Sequence, residues 1–97
     1  VVYCANDFLA IGAIQSAWSN GIRIPNDISV VGNDDISLSQ MTFPRLTTVS
    51  LNAYLAGQMA AEMILKCING EHVEDELMDH FMVIRCCNNR GFHIARF

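Results

Sequence analysis

The feature that most narrows the fold lies between Val1 and Gly32, in VVYCANDFLAIGAIQSAWSNGIRIPNDISVVG. A short apolar, β-rich run, VVYCA, stops at Asn6-Asp7. Phe8, Ile11, Ile14 and Trp18 then recur at helical spacing and predict one apolar helix face. Asn6 suits the N-cap, Asp7 complements the N-terminal helix dipole, and Gly21 suits the position past the C-terminus. Pro25 punctuates a loop, and a second strand is expected over Ile28 to Val31. Strand, helix, strand is the grammar of a parallel βαβ unit with a right-handed crossover.

The remaining chain extends this α/β pattern. ISLSQMTFPR is irregular or a short helix stopped by Pro44, and LTTVSL has the β-branched character of another strand. Asn52 caps a second helix that runs to Asn69. There Leu55, Met59, Met63 and Cys67 recur at spacing four, flanked by Ala56, Ala60 and Ile64. Glu62 and Lys66 are placed for an i,i+4 ion pair, and Gly70 ends the helix. EHVEDELMDH is polar and turn-like, and FMVIRC is expected as a final strand. No internal repeat or low-complexity segment occurs.

A chain of 97 residues makes one small domain, which buries roughly 60–65% of its unfolded surface. The hydrophobic share of 52% against 16% charged is high for so small a unit. With an opening that lacks methionine and reads as a buried strand, this predicts a piece of a larger core whose partner surface lies elsewhere. The formal charge of −4 argues against this segment gripping nucleic acid or an anionic membrane by a basic face. No signal-peptide pattern opens it, and Gln58, Glu62 and Lys66 mark the longer helix as a core helix rather than a membrane span. Cys4, Cys67, Cys86 and Cys87 form no C-x-x-C pair. Cys4 and Cys67 sit in apolar patterns, and Cys86 and Cys87 would close a strained ring if joined. Free thiols of a reducing cytosol are the expectation.

In a parallel α/β sheet, ligands sit beyond the carboxyl ends of the strands. The first strand delivers Asn6 and Asp7 there, and the second delivers Gly32, Asn33, Asp34 and Asp35. Gly32 removes a side chain where a ligand or another chain can approach. Adjacent residues on an extended chain face opposite ways, so Asp34 and Asp35 are poorly placed to act as a catalytic pair on one atom. Two readings of each acid stay open: an acceptor for two donors, as from sugar hydroxyls, or a cap on the turn. Asn6 can cap the helix, bind a hydroxyl, or do both. Asp7 is expected as a helix-start acid, and Trp18 as a core or interface residue. His72, His80 and His93 lack metal-ligand spacing, and no nucleophile–base set or phosphate loop stands out. Ile11-Gly12-Ala13 holds a helix-packing glycine. No catalytic residue, metal or cofactor is predicted.

CANDFLAIGAIQSAWSNGIRIPNDISVVGNDD, followed by FPRLTTVSLN and LAGQMAAEMIL, resembles the C-terminal part of LacI/GalR-type transcription regulators over Val1 to Arg85. The resemblance implies a Rossmann-like parallel sheet, incomplete here, within a two-lobed periplasmic-binding-protein-like effector domain. It implies residues 1–45 in the C-terminal lobe, 46–51 as a crossover, 52–75 as a helix of the N-terminal lobe, and 76–97 as the final strand region and tail. Asn6 and Asp34 match positions that commonly hydrogen-bond the effector, a sugar or nucleobase compound. Ile11, Met41, Thr42 and Phe43 match surfaces that often form the homodimer contact. Operator DNA would be bound only by an N-terminal headpiece that this chain lacks, and the regulator would be cytoplasmic. Asn33 stands where the family often has Tyr or Phe, Leu51 replaces a usual polar residue, and CCNNRGFHIARF departs from the usual ending. A periplasmic sugar-binding transport protein of the same architecture is the alternative reading. A small α/β enzyme using the acid pair is a third, without nucleophile, metal set or phosphate loop to support it.

Overall fold

A computed structural model describes residues 1–86. Its elements run β1 (Val2–Tyr3), α1 (Asp7–Ser19), β2 (Val30–Asn33), a 3-10 turn (Ser37–Gln40), β3 (Thr47–Ser50), α2 (Ala53–Ile68) and β4 (Phe81–Val83). The four strands form one sheet in the order β1-β2-β3-β4. β1, β2 and β3 are parallel, with Val2 opposite Val30 and Gly32 opposite Thr48. β4 returns antiparallel, with Thr48 opposite Val83. The expected parallel α/β sheet is therefore present, with one antiparallel strand added at its edge.

α1 starts as its sequence dictates: the Asn6 side chain accepts from the Leu9 N–H at 2.9 Å. Its buried stripe, however, is Asp7, Ala10, Ile14 and Ala17, not the expected Phe8, Ile11, Ile14 and Trp18. Both stripes have i,i+3 and i,i+4 spacing and share Ile14. The sheet takes the one with two alanines, because small side chains let a helix axis approach closely. Phe8 and Trp18 are left 68% and 50% exposed, and Ile11 is half-buried. Gly12, expected to pack, faces open space. The core of Cys4, Ala10, Ile14, Ala17, Ile24, Val30 and Leu46 lies between α1 and the strands.

The second strand begins two residues later than expected. Before it, the Arg23 guanidinium and backbone N–H close on the Asp27 carboxylate, with contacts of 2.7–3.0 Å that hold the loop as a turn. This exposed ion pair holds the Asp27 carboxyl down at about 2.

α2 has its expected caps: the Asn52 side chain accepts from the Leu55 N–H, and Gly70 follows in a left-handed conformation. None of its residues is buried, and Tyr54, Ile64, Leu65 and Ile68 are exposed. Cys67, expected to pack, is exposed too. Glu62 accepts from Gln58 Nε2 at 3.1 Å instead of pairing with Lys66. The consequence is an elongated shape: a compact chain of this length has a radius of gyration of about 13 Å, against 17.0 Å here. No helix among the described residues is long and apolar enough to cross a membrane. The expectations for Cys87, His93 and the tail lie outside the described residues.

Candidate functional site

Because β1, β2 and β3 are parallel, their carboxyl ends share one rim. Asn6 leaves β1 and Asp34 leaves β2, which are paired neighbours, so the two predicted ligand residues meet at one edge. Asn6 and Asp34 are both half-buried. The Asn6 carbonyl is used by the helix cap, while its amide NH2 has no hydrogen-bond partner among the described residues. That group can donate to a ligand while the cap stays formed.

The adjacent aspartates are not extended, as the sequence suggested, but turn the chain sharply, with φ of 112° at Asp34 and 54° at Asp35. Their carboxylates separate cleanly. Asp35 Oδ1 accepts from Arg85 Nη2 at 2.7 Å, in a pair whose side chains are 21% and 13% exposed. Asp34 keeps only a weak contact, accepting from Asn33 Nδ2 at 3.3 Å. One acid is committed to the protein, and the other retains acceptor capacity at the rim.

Under the rim lies a group that the sequence reading underrated. Asp7 is completely buried. Its Oδ2 accepts from the Ile36 N–H at 2.9 Å, and its Oδ1 accepts from Thr48 Oγ1. Thr48 Oγ1 in turn accepts from the Asp35 N–H at 3.3 Å. Two donors and the α1 N-terminus offset the cost of burying this carboxylate. Asp7 thus ties α1, β3 and the turn after β2 together, well beyond a helix-start role.

Gly32 makes room for it. A Cβ there would lie 2.2 Å from Asp7 Oδ1 and 3.0 Å from Leu46 Cδ2. The space left by the missing side chain is therefore filled by the chain's own carboxylate rather than by a ligand. The sequence carried two signals for this: Asp7 heads the Ala10–Ile14–Ala17 stripe, and a glycine interrupts the apolar strand opposite.

The predicted dimer residues lie on a different surface. Met41 and Phe43 are 79% and 80% exposed. Phe43 meets Trp18 with ring centroids 6.1 Å apart, beside a groove lined by Ile22, Ile24, Pro25 and Pro44. Thr42 is half-buried, and its hydroxyl accepts from the Leu46 N–H and faces the Ser39 and Pro44 carbonyls, so it clasps its own loop. Ile11 is half-buried on the flank of α1. Among the described residues no cluster of three His, Cys, Asp or Glu side chains is arranged to hold a metal.

The model of the periplasmic binding protein-like domain family matches residues 1–86. The HTH-type transcriptional repressor CytR of Escherichia coli K12 is 37% identical over 86 residues, which cover 87% of this chain and 25% of that protein. The lac repressor dimer bound to operator and the anti-inducer ONPF superposes with a TM-score of 0.83 at 34% identity, covering 89% of this chain and 30% of the repressor chain. The complex of the transcriptional regulator CelR with cellobiose gives 0.84 at 27% identity, over 90% of this chain and 27% of the regulator. The chain spans about a quarter of the length of the curated relatives it matches.

Proposed function

The chain belongs to the periplasmic binding protein-like domain family, among the LacI-type repressors, and we propose that it is the C-terminal part of the effector-sensing and dimerising domain of a cytoplasmic transcriptional regulator. Asp34 accepts hydrogen bonds from a sugar or a nucleobase compound, and Asn6 donates to it. Ile11, Met41, Thr42 and Phe43 belong to the homodimer surface, and operator DNA is held by a headpiece outside this chain. Residues 1–45 form the C-terminal lobe, 46–51 carry the crossing, 52–75 supply a helix to the other lobe, and 76–97 are the final strand region and tail. The bare α2 supports that division, since a helix with no buried residue needs a partner beyond the described residues.

The observation that carries the reading is the division of labour at the paired aspartates. Asp35 is paired with Arg85, while Asp34 keeps acceptor capacity on the same rim as Asn6. In a two-lobed domain, an effector that bridges this rim and the opposite lobe binds one lobe arrangement better than the other. That difference is what shifts affinity for DNA. The repressor identity of the relatives favours a regulator over an exported transport protein of this architecture, and over an enzyme.

A thermal-shift panel of sugars and purine nucleosides on the full-length protein identifies the effector class. Asp34→Ala is then expected to abolish the effector's influence on operator binding while operator affinity stays within about twofold. A normal response curve for that variant would remove Asp34 from the site.

A further inference from the structure

We propose that Arg85 is a positioning residue for the effector rim, holding from fifty residues away the turn that carries Asp34. The proposal rests on the reading of Asp34 as a ligand acceptor. Both turn residues have positive φ, a conformation that side-chain-bearing residues hold only when their surroundings over-determine it. Three backbone donors are fixed from outside the turn. The Asp34 N–H donates to Val49 O at 2.9 Å, the Asp35 N–H to Thr48 Oγ1, and the Ile36 N–H to Asp7.

Arg85 supplies the side-chain half of that restraint. Nη2 donates to Asp35 Oδ1, while Nη1 donates to Ser39 Oγ and Leu46 O, each at 3.0 Å. Ser39 Oγ passes the grip on by donating to Ile36 O at 2.7 Å. One guanidinium therefore holds the turn and both ends of the segment from Ile36 to Leu46. Its own backbone is locked to Thr47 Oγ1 through both N–H and C=O. The fork geometry matters because a lysine ammonium, a compact point charge, does not reproduce this planar set of donors. Arg85 follows β4, the strand that returns from α2. The turn is thus tied to the part of the chain that comes back from the other lobe.

The test uses the full-length regulator with Arg85→Gln, Arg85→Lys, Asp35→Asn and the Arg85→Gln/Asp35→Asn double variant. Hydrogen exchange without ligand is expected to run about tenfold faster at Asp34 to Ile36 in each single variant, with Ile14 to Ala17 of α1 unchanged. The double variant is expected to be no worse than the singles, because they break one interaction. With lactose, cellobiose and adenosine as probes, the midpoint of any response seen in the wild type is expected to rise about tenfold, with operator affinity kept. Unchanged exchange at the turn overturns the proposal. So does an equal loss of protection across α1, which marks general destabilisation, or additive effects in the double variant. A wild type that answers none of the probes speaks against the effector reading, and the exchange measurement still decides the role of Arg85.

Discussion

Replacing Gly32 by alanine adds one methyl group to a strand, and the structure makes that methyl costly. Gly32 lies in β2 with ordinary extended backbone, so its value is empty space rather than conformational freedom. The new carbon would sit 2.2 Å from Asp7 Oδ1, inside any tolerable contact. Asp7 has nowhere to retreat, since it is wholly buried and its two oxygens are held by Thr48 and Ile36. Moving the carboxylate forfeits at least one charge-assisted hydrogen bond, about 1.5–3 kcal/mol, and the overpacking itself costs about 1–3 kcal/mol. The expected destabilisation of Gly32→Ala is therefore about 3–5 kcal/mol. Urea unfolding of the full-length protein at fixed concentration measures it. The Gly32→Ala/Asp7→Ala double variant tests the cause: once Asp7 is truncated, the methyl has room, and the two effects should fall short of additivity by about 2 kcal/mol. A loss below about 1 kcal/mol for Gly32→Ala, or simple additivity, would refute the argument that Asp7 fills this space.

Asp27 should titrate near 2 by NMR in the folded protein, and Arg23→Gln should return it toward its ordinary value of 3.8. Because the folded pKa is the lower one, the stabilisation from this pair is complete above 3.8 and fades as pH falls through about 2. Asn6→Ser should separate the two tasks of that residue. Serine caps a helix about as well as asparagine, so stability should stay within about 0.5 kcal/mol, while the response to effector weakens. An unaltered response in a stable Asn6→Ser protein would leave Asn6 as a cap alone.

The order of elements was legible because the signals for it are local. Asn6 and Asn52 cap helices, Gly21 and Gly70 end them with positive φ, and the β-branched LTTVSL forms the strand at Thr47–Ser50. The face of α1 was not legible, because two stripes share Ile14 and only the sheet's demand for close approach selects between them. The convergence of Asn6 and Asp34 followed from parallel topology. A structural role for Asp35 was one of two open readings, and its partner Arg85 lies far along the chain, where no spacing rule announces it. Asp7 was underrated for a similar reason: an acid at a helix start looks ordinary until Gly32 and Thr48 are seen beside it. The buried carboxylate is where sequence periodicity and three-dimensional chemistry part company.

β1 occupies one border of the sheet, and its backbone alternates in direction. Val2 and Cys4 donate inward to Ser29 O and Val31 O, each at 2.8 Å. The intervening Tyr3 therefore turns its N–H and C=O outward, and Val1, Val2 and Tyr3 are exposed while Cys4 enters the core. Nothing among the described residues pairs with that border. It is an open hydrogen-bonding edge, at the border of the sheet from which the chain runs on to Asn6. A strand seated there would lengthen the sheet on the Asn6 side, and its own carboxyl or amino end would then border the rim.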